Sequence, residues 1–520
     1  MVIKKQIVSL PVRPRRNSSK QANNAAHRKV YDAKPRIESA KCRLLLLIVL
    51  LITTAWGIGS LIFTPLQMLL RIRLEMSPGL PPYDWWVQPP DEVLLKVHLF
   101  NITNSERFLN GSDEKIAVQE IGPIVYREKL RHFNVKSNAN STLSYRANRT
   151  AIFLPEMNTI NLTDFIVVPN LAVLLIPAYF HDASMFVKWG VNVLLKSFNG
   201  QPLVRMSIQD YLWNATDPIL DAAEKLAPTL VPMKNVGLLS TIYQDFENDV
   251  TVFTGPKHGN AKFFTIDKYD GSGYLPHYAS PACQQRFRNA SEGIGYPQML
   301  TKDTNLTYWR RSICKLADIR FTREDSKYGI QGYRFQLVPW AYSRTQWEGN
   351  PDCFAGTPAL PNGVADISSC YWGFPMAVSF PHFLFADASA SAAIEGLSPN
   401  EEDHGSFVLI EPVTGVPLEG KARSQINLVM KPLTGFPDNI QRFSNSVLPL
   451  AWMEYHQVGV PTYIQLLVYL AAVVVPSTQL AISLISLSLG ILCGYFLING
   501  LFPRSPFTAQ GLKREDQALI

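Results

Sequence analysis

The chain has 520 residues, 47% of them hydrophobic and 18% charged, with a formal net charge of +7 at pH 7. That apolar share excludes a wholly disordered chain. The basic total would suit a nucleic-acid partner, but twelve Lys and Arg stand against only Asp32 and Glu38 in the first 43 residues, so the excess belongs to a tail and nucleic acid is set aside.

Residues 1–43 form a tail of net charge +10 containing Pro, Ser and Asn. It is expected to be disordered, with anionic lipid as its partner. Residues 44–70 hold no Asp, Glu, Lys or Arg, and about 20 such residues cross the ~30 Å of hydrocarbon in a bilayer. The run begins too late and is too long for a signal-peptide core, so it is expected to be an uncleaved signal anchor. Basic residues next to a span stay cytosolic, which puts Lys41, Arg43 and the tail in the cytosol. Cys42, at the edge of the span, is a palmitoylation candidate.

Residues 71–460 are expected to lie outside the cytosol. Sequons at Asn101, Asn110, Asn140, Asn148, Asn161, Asn214, Asn289 and Asn305 all fall here, predicting a glycosylated extracellular or lumenal surface. The sequon at Asn17, in the basic tail, is read as accidental. Cys283, Cys314, Cys353 and Cys370 also lie in this region; four cysteines in an exported segment suggest disulfides with three connectivities. Zinc is the alternative, without a CxxC pair or an adjacent His to support it.

Strand-like segments recur at IAVQEIGPIVYRE (116–128), TVFTG (251–255), KFFTIDKYDG (262–271), YRFQLV (333–338) and SFVLIEPVTG (406–415). Their alternation and frequent Gly/Pro turns predict a large, mostly antiparallel sheet. Residues 164–213 read instead as a compact helical insertion whose apolar content exceeds one amphipathic stripe. It is either a well-packed subdomain or an exposed apolar surface for lipid or protein.

Residues 457–503 are again uncharged. Pro476 divides them, leaving residues 461–476 as an apolar membrane-proximal segment, too short to span and either skimming the membrane or buried, and residues 477–503 as the second span. Two spans in this stretch would move the C-terminus across the membrane; one span keeps residues 504–520 cytosolic. Cys493 inside the span is a second palmitoylation candidate or an inert thiol. The final residues, with Glu515, Leu519 and Ile520, fit an acidic dileucine pattern that clathrin adaptor complexes accept.

No catalytic motif is found: no HExxH, GxSxG, P-loop or GxGxxG after a strand. The nine histidines lack metal-ligand spacing. Glu401, Glu402 and Asp403 beside His404 read as a solvated turn. The chain is therefore expected not to be an enzyme and to need no cofactor or metal.

The segments GPIVYRE (122–128), DYLWNATDP (210–218), GYRFQLV (332–338), FPHFLFAD (380–387) and LSPNEEDHGSFVLIEPVTG (397–415) together resemble the class B scavenger receptor family, which includes the fatty acid translocase and the lysosomal integral membrane protein. The resemblance runs from the first span to the second. It implies a two-pass membrane protein with an α+β ectodomain: a large antiparallel β-barrel-like core enclosing a tunnel, an apical helical bundle, and N- and C-terminal transmembrane helices. It also implies disulfides Cys283–Cys353 and Cys314–Cys370, and a ligand-capturing lysine at Lys196 or Lys188. His181 lies near where a lysosomal relative carries a pH-sensing histidine; an imidazole titrating near 6.5 suits such a switch.

Two functions follow from this reading. The first is an endocytic receptor at the plasma and endosomal or lysosomal membranes, binding fatty acid, lipid or lipoprotein at the apex and passing apolar ligand inward. The second is an endolysosomal sorting receptor for a lumenal protein cargo held by residues 165–213. A two-pass ectoenzyme is a distant third, without a catalytic constellation.

Overall fold

The structure, a computed structural model, describes residues 40–62, 68, 75–90, 93–226, 228–229, 231, 233–244, 248–255, 257–275, 285–343 and 360–501. The chain divides into two compact units, Pro65–Thr478 and the paired segments Met1–Thr64 and Gln479–Ile520. The basic tail, Asn17, Cys283, Cys353 and the Glu515/Leu519/Ile520 motif lie outside the described residues.

In the paired segments, helix α1 (Ala40–Ile62) belongs with the C-terminal part of the last helix, Val475–Leu501. Small and hydroxylated residues let the two backbones approach. A methyl group on Gly57 would lie 2.7 Å from Leu487 Cγ, and one on Gly490 2.7 Å from Thr54 Oγ1. Ser60 and Ser483 hydroxyls share a hydrogen bond of 2.6 Å, and Gln479 Nε2 donates to the Ser60 carbonyl oxygen. Interfaces between membrane helices favour such residues because lipid supplies no hydrophobic drive for helix association. Both helices are long and apolar enough to cross a membrane, the C-terminal one running Thr462–Asn499.

Among the described residues, the unit Pro65–Thr478 is built on one sheet of fifteen strands. Its strands are β1 (Val93–Ile102), β2 (Ile116–Asn138), β3 (Thr142–Phe153), then, after a separate β4–β5 pair (Phe165–Pro169, Leu203–Ser207), β6 (Val250–Phe253), β7 (Ile266–Tyr269), β8 (Ala290–Ser291), β9 (Leu306–Arg310), β10 (Lys315–Lys327) and β11 (Ile330–Leu337). Shorter β12 (Val364–Asp366), β13 (Met376–Ser379) and β14 (Ile394–Glu395) precede β15 (Phe407–Ile410), β16 (Pro417–Met430) and β17 (Ser446–Gln457). The main order is β7-β6-β3-β2-β1-β17-β16-β15-β11-β10-β9-β8. Among the described residues, its two ends do not exchange ladder bonds. They meet through side chains instead: Tyr269 of β7 packs edge-on against Trp309 of β9 at 4.9 Å and joins a cluster with Phe287, Ala290 and Leu316. The sheet is thus nearly closed, and the expected β-rich core is present.

Strand β1 shows how pleating sorts the residues. Leu95, Val97 and Leu99 are fully buried on one face. On the other, Lys96 and His98 stand directly opposite Glu454 and Trp452 of β17. Lys96 Nζ lies 2.8 Å from Glu454, and His98 stacks on Trp452 at 3.7 Å. Cross-strand pairs of this kind stabilise a sheet by roughly 0.2–1 kcal/mol each.

Residues 165–213 hold the β4–β5 pair and three helices: α2 (Leu171–Tyr179), α3 (Met185–Ser197) and Ile208–Trp213. Asn170 caps α2 through Val173 N, and Ser184 caps α3 through Val187 N. Residues 171–178 are all buried, the pattern of a core helix. In contrast, α3 buries Val191 and Leu195 but exposes Met185, Phe186, Trp189 and Val193. The region thus combines a fully packed helix with one that leaves apolar side chains exposed.

The C-terminal segment differs from expectation. Helix α4 (Thr462–Tyr469) passes through a π-helical turn, Leu470–Val474, into α5 (Val475–Leu501). Pro476 does not end the helix. It lacks an N–H and so cannot donate into the ladder, and the π-turn just before it is where that ladder is rearranged. Ile464 and Val468 of α4 pack on Ile330, Leu409 and Leu418 of the sheet, and Tyr463 meets Trp85 edge-on.

Cys314 and Cys370 are joined by a disulfide, the pairing the resemblance implies for them, across a sequence separation of 56. A loop of that size corresponds to about 4 kcal/mol in the chain-entropy model. Replacing both by Ala is expected to lower unfolding free energy by about that amount, measured by denaturant titration; an unchanged midpoint would show the bridge to be dispensable.

Candidate functional site

A cavity of about 330 Å³ lies inside the unit Pro65–Thr478. One wall is α4 and the following turn, through Ile464, Leu467, Val468 and Ala471. The opposite walls are sheet residues, among them Leu130, Ile319, Leu337 and Val408, with Trp85 and Trp86 of the Pro81–Val87 helix. Apolar side chains dominate, the composition of sites that take apolar ligands.

Its polar end is a buried charge cluster. Glu128 of β2 accepts from Arg149 of β3 at 3.0 Å, from Arg310 at the end of β9 at 2.7 Å, and from the Tyr243 hydroxyl at 2.6 Å. Burial alone would raise the Glu128 pKa, but the Arg310 and Arg149 guanidiniums outweigh it and hold the carboxyl at about 2. The Arg310 guanidinium also lies 3.7 Å over the Tyr455 ring. Six strands stand between β2 and β9 in the sheet order, so the pair crosses the interior rather than zipping neighbours. A second pair, Arg423–Glu454 at 2.7 Å, brings a further buried guanidinium to the cavity wall.

Among the described residues, one group could hold a metal ion by proximity: Glu120, His382 and His404, with ligand atoms within 4.8 Å of one another. The hydrogen bonds argue against it. His382 Nδ1 accepts from Ser398 N at 3.0 Å, and His404 Nδ1 from Asn400 N at 2.9 Å. Each neutral ring must then carry its proton on Nε2, the atom a metal would need. The His382 Nε2–H instead meets Glu120 Oε2 at 2.6 Å, and His98 meets Glu120 Oε1 at 2.6 Å. The rings of His382 and His404 stack at 4.3 Å. The group is a hydrogen-bonded lock on residues 398–404. Glu401, Glu402 and Asp403 are exposed as expected of a turn, but His404 is buried.

The expected site residues are scattered. Lys196 is exposed at the end of α3. Lys188 is not a surface lysine: it is buried, and its Nζ donates to the Thr434 carbonyl oxygen at 2.9 Å. His181 sits in the α2–α3 turn, its pKa lowered by burial and by Lys431, with Asp182 3.7 Å away opposing the shift. Cys42 is exposed in α1, whereas Cys493 is buried in α5 and so less open to acylation. Seven sequon asparagines are exposed; Asn101 is half-buried and its Oδ1 accepts from Val167 N at 2.8 Å. Glu128 was within reach of sequence reasoning, since Ile124, Tyr126 and Glu128 share one face of β2, all buried. Arg310, His382 and His404 gave no local sign.

Two predictions follow from these environments. Burial and His382 lower the His404 pKa to about 4, and burial lowers that of His132 to about 3. The unfolded chain therefore binds these protons first, and stability is lost as pH falls from about 6.5 toward 4. Glu128 and Glu454, each lowered from 4.5 to about 2, lose their contributions only below about pH 4.5 and so do not separate pH 5 from pH 7; Glu411, raised by burial, works in the opposite direction. Thermal unfolding should occur at lower temperature at pH 5 than at pH 7, by on the order of 2 kcal/mol per buried His; equal midpoints would contradict it. Glycopeptide mapping should find sugar on the exposed asparagines and none on Asn101.

The sequence matches the model of the CD36 family over residues 44–499. Among curated proteins, it is 28% identical to scavenger receptor class B member 1 of Rattus norvegicus over 409 residues, 78% of each chain. It is also 28% identical to lysosome membrane protein 2 of Homo sapiens over 366 residues, 70% of this chain and 74% of that one.

Proposed function

We propose, from the premise that this chain belongs to the CD36 family, that it is a class B scavenger receptor-like membrane protein whose ectodomain binds lipid or lipoprotein and passes apolar ligand toward the bilayer. The observation that carries this reading is the apolar cavity walled by α4, the segment that leads in sequence into the C-terminal candidate span. Each methylene sheltered there saves about 0.8 kcal/mol of exposure to water. In this reading the tails are cytosolic and the glycosylated region lies outside.

Capture falls to α3. Phe186 is 79% and Trp189 62% exposed, side by side with ring centroids 6.1 Å apart. Exposed aromatics of this kind mark interaction surfaces, and Lys196 adds a cation on the same helix. Acidic lipid heads or lipoprotein surfaces satisfy both. A sorting receptor for a lumenal protein is the second reading. It uses the same aromatic pair as a protein hot spot and the dileucine tail for adaptor complexes.

The two readings separate in one experiment on cells expressing the full chain. Phe186→Ser/Trp189→Ser should reduce lipoprotein binding by at least about tenfold, or about 1.4 kcal/mol. Val468→Trp, which fills the cavity, should leave binding intact and reduce lipid uptake by a similar factor. Uptake unaffected by Val468→Trp would overturn the conduit and favour the cargo receptor.

A further inference from the structure

Three cavities follow one another inside the unit Pro65–Thr478. The largest and a second, of about 100 Å³, have Arg149, Glu292, Arg310 and Ser312 in common. The second and a third, of about 40 Å³, share Thr241, Ile242, Tyr371 and Trp372. The third touches Leu171 and Leu175 of α2, while the largest ends at α4. The series therefore leads from the helical insertion to the membrane-proximal helix. Every residue common to the first and second cavities is polar, and two of the four are the guanidiniums held by Glu128.

We propose that the Arg149–Glu128–Arg310 triad, with Tyr243, is a gate between the two cavities, closed as it stands, that limits the passage of uncharged apolar ligand. The inference rests on the conduit reading above and adds the residues that control it. An acyl chain cannot displace three donors from a buried carboxylate without leaving charge unpaired, a costly state. The bonds that close the junction are side-chain bonds between β2, β3, β9 and the Tyr243 turn, so they can open without breaking the sheet ladder. Glu292 lines both cavities and accepts from the Tyr145 hydroxyl. It supplies a second carboxylate at the junction for a guanidinium released from Glu128. A mere strut would affect stability alone, whereas a gate sets a rate.

The test uses the full-length glycosylated protein in phospholipid vesicles, with transfer of a pyrene-labelled triacylglycerol from an emulsion as the readout. Arg149→Met/Glu128→Leu/Arg310→Met removes the charges together, a change buried triads elsewhere tolerate. Transfer should rise by at least about tenfold, equivalent to about 1.4 kcal/mol of barrier, with emulsion binding unchanged. Tyr243→Phe removes one donor and keeps every charge, so it should raise transfer less, in the same direction, even where the triple variant fails to mature. Unchanged or reduced transfer in Tyr243→Phe and in a matured triple variant overturns the gate. If neither wild type nor variants transfer the probe while emulsion still binds, the conduit reading fails and the gate with it.

Discussion

A sheet that nearly closes on itself encloses an interior, and one buried carboxylate here ties strands across it. Glu128 takes one guanidinium from the neighbouring strand β3, a second from β9, which is not its neighbour in the ladder, and a phenol from the Tyr243 turn. Removing one of the three charged partners would strand charge in a medium that solvates it poorly. The cluster crosses the interior, and the cavity of about 330 Å³ lies beside it. The largest cavity ends on it, and the apolar walls on the α4 side need no polar groups of their own.

The other boundary of that cavity is α4. One face of this helix packs on the sheet and lines the cavity, while Tyr463, Leu466 and Tyr469 stay exposed. A helix apolar on both sides is unusual at a water-exposed surface and suited to a membrane boundary. The π-turn that follows carries the chain into Pro476 without a break, so the wall of the cavity and the candidate span are consecutive parts of one apolar stretch.

Much of the fold was legible in the sequence. The uncharged runs located the two apolar helices, and alternation located β2, β6, β7, β11 and β15. Strands β16 and β17 were harder to read because Gln425–Met430 and Ser446–Met453 are buried continuously, without the period of two that marks a half-solvated strand. Residues 461–476 read as an apolar segment too short to span, and their first helix walls the cavity. The cluster at the cavity's far end was not legible, because Glu128 and Arg310 are 182 residues apart and nothing local announces a pairing made by sheet closure. Lys188, one of the two lysines the resemblance offers for ligand capture, has its stem lying inward and its ammonium bonded to the Thr434 carbonyl oxygen, a burial that no local pattern announces.

The central claim is that the sheet's interior is a lipid site. Mass spectrometry of lipid extracted from the purified, glycosylated full-length protein tests it most directly, with a Val408→Trp variant that fills the cavity as the reference. The prediction is acyl lipid in near-stoichiometric amount in the wild type, depleted in the variant relative to detergent-exchanged annular lipid. Equal lipid in both proteins, or none held tightly by either, would contradict it.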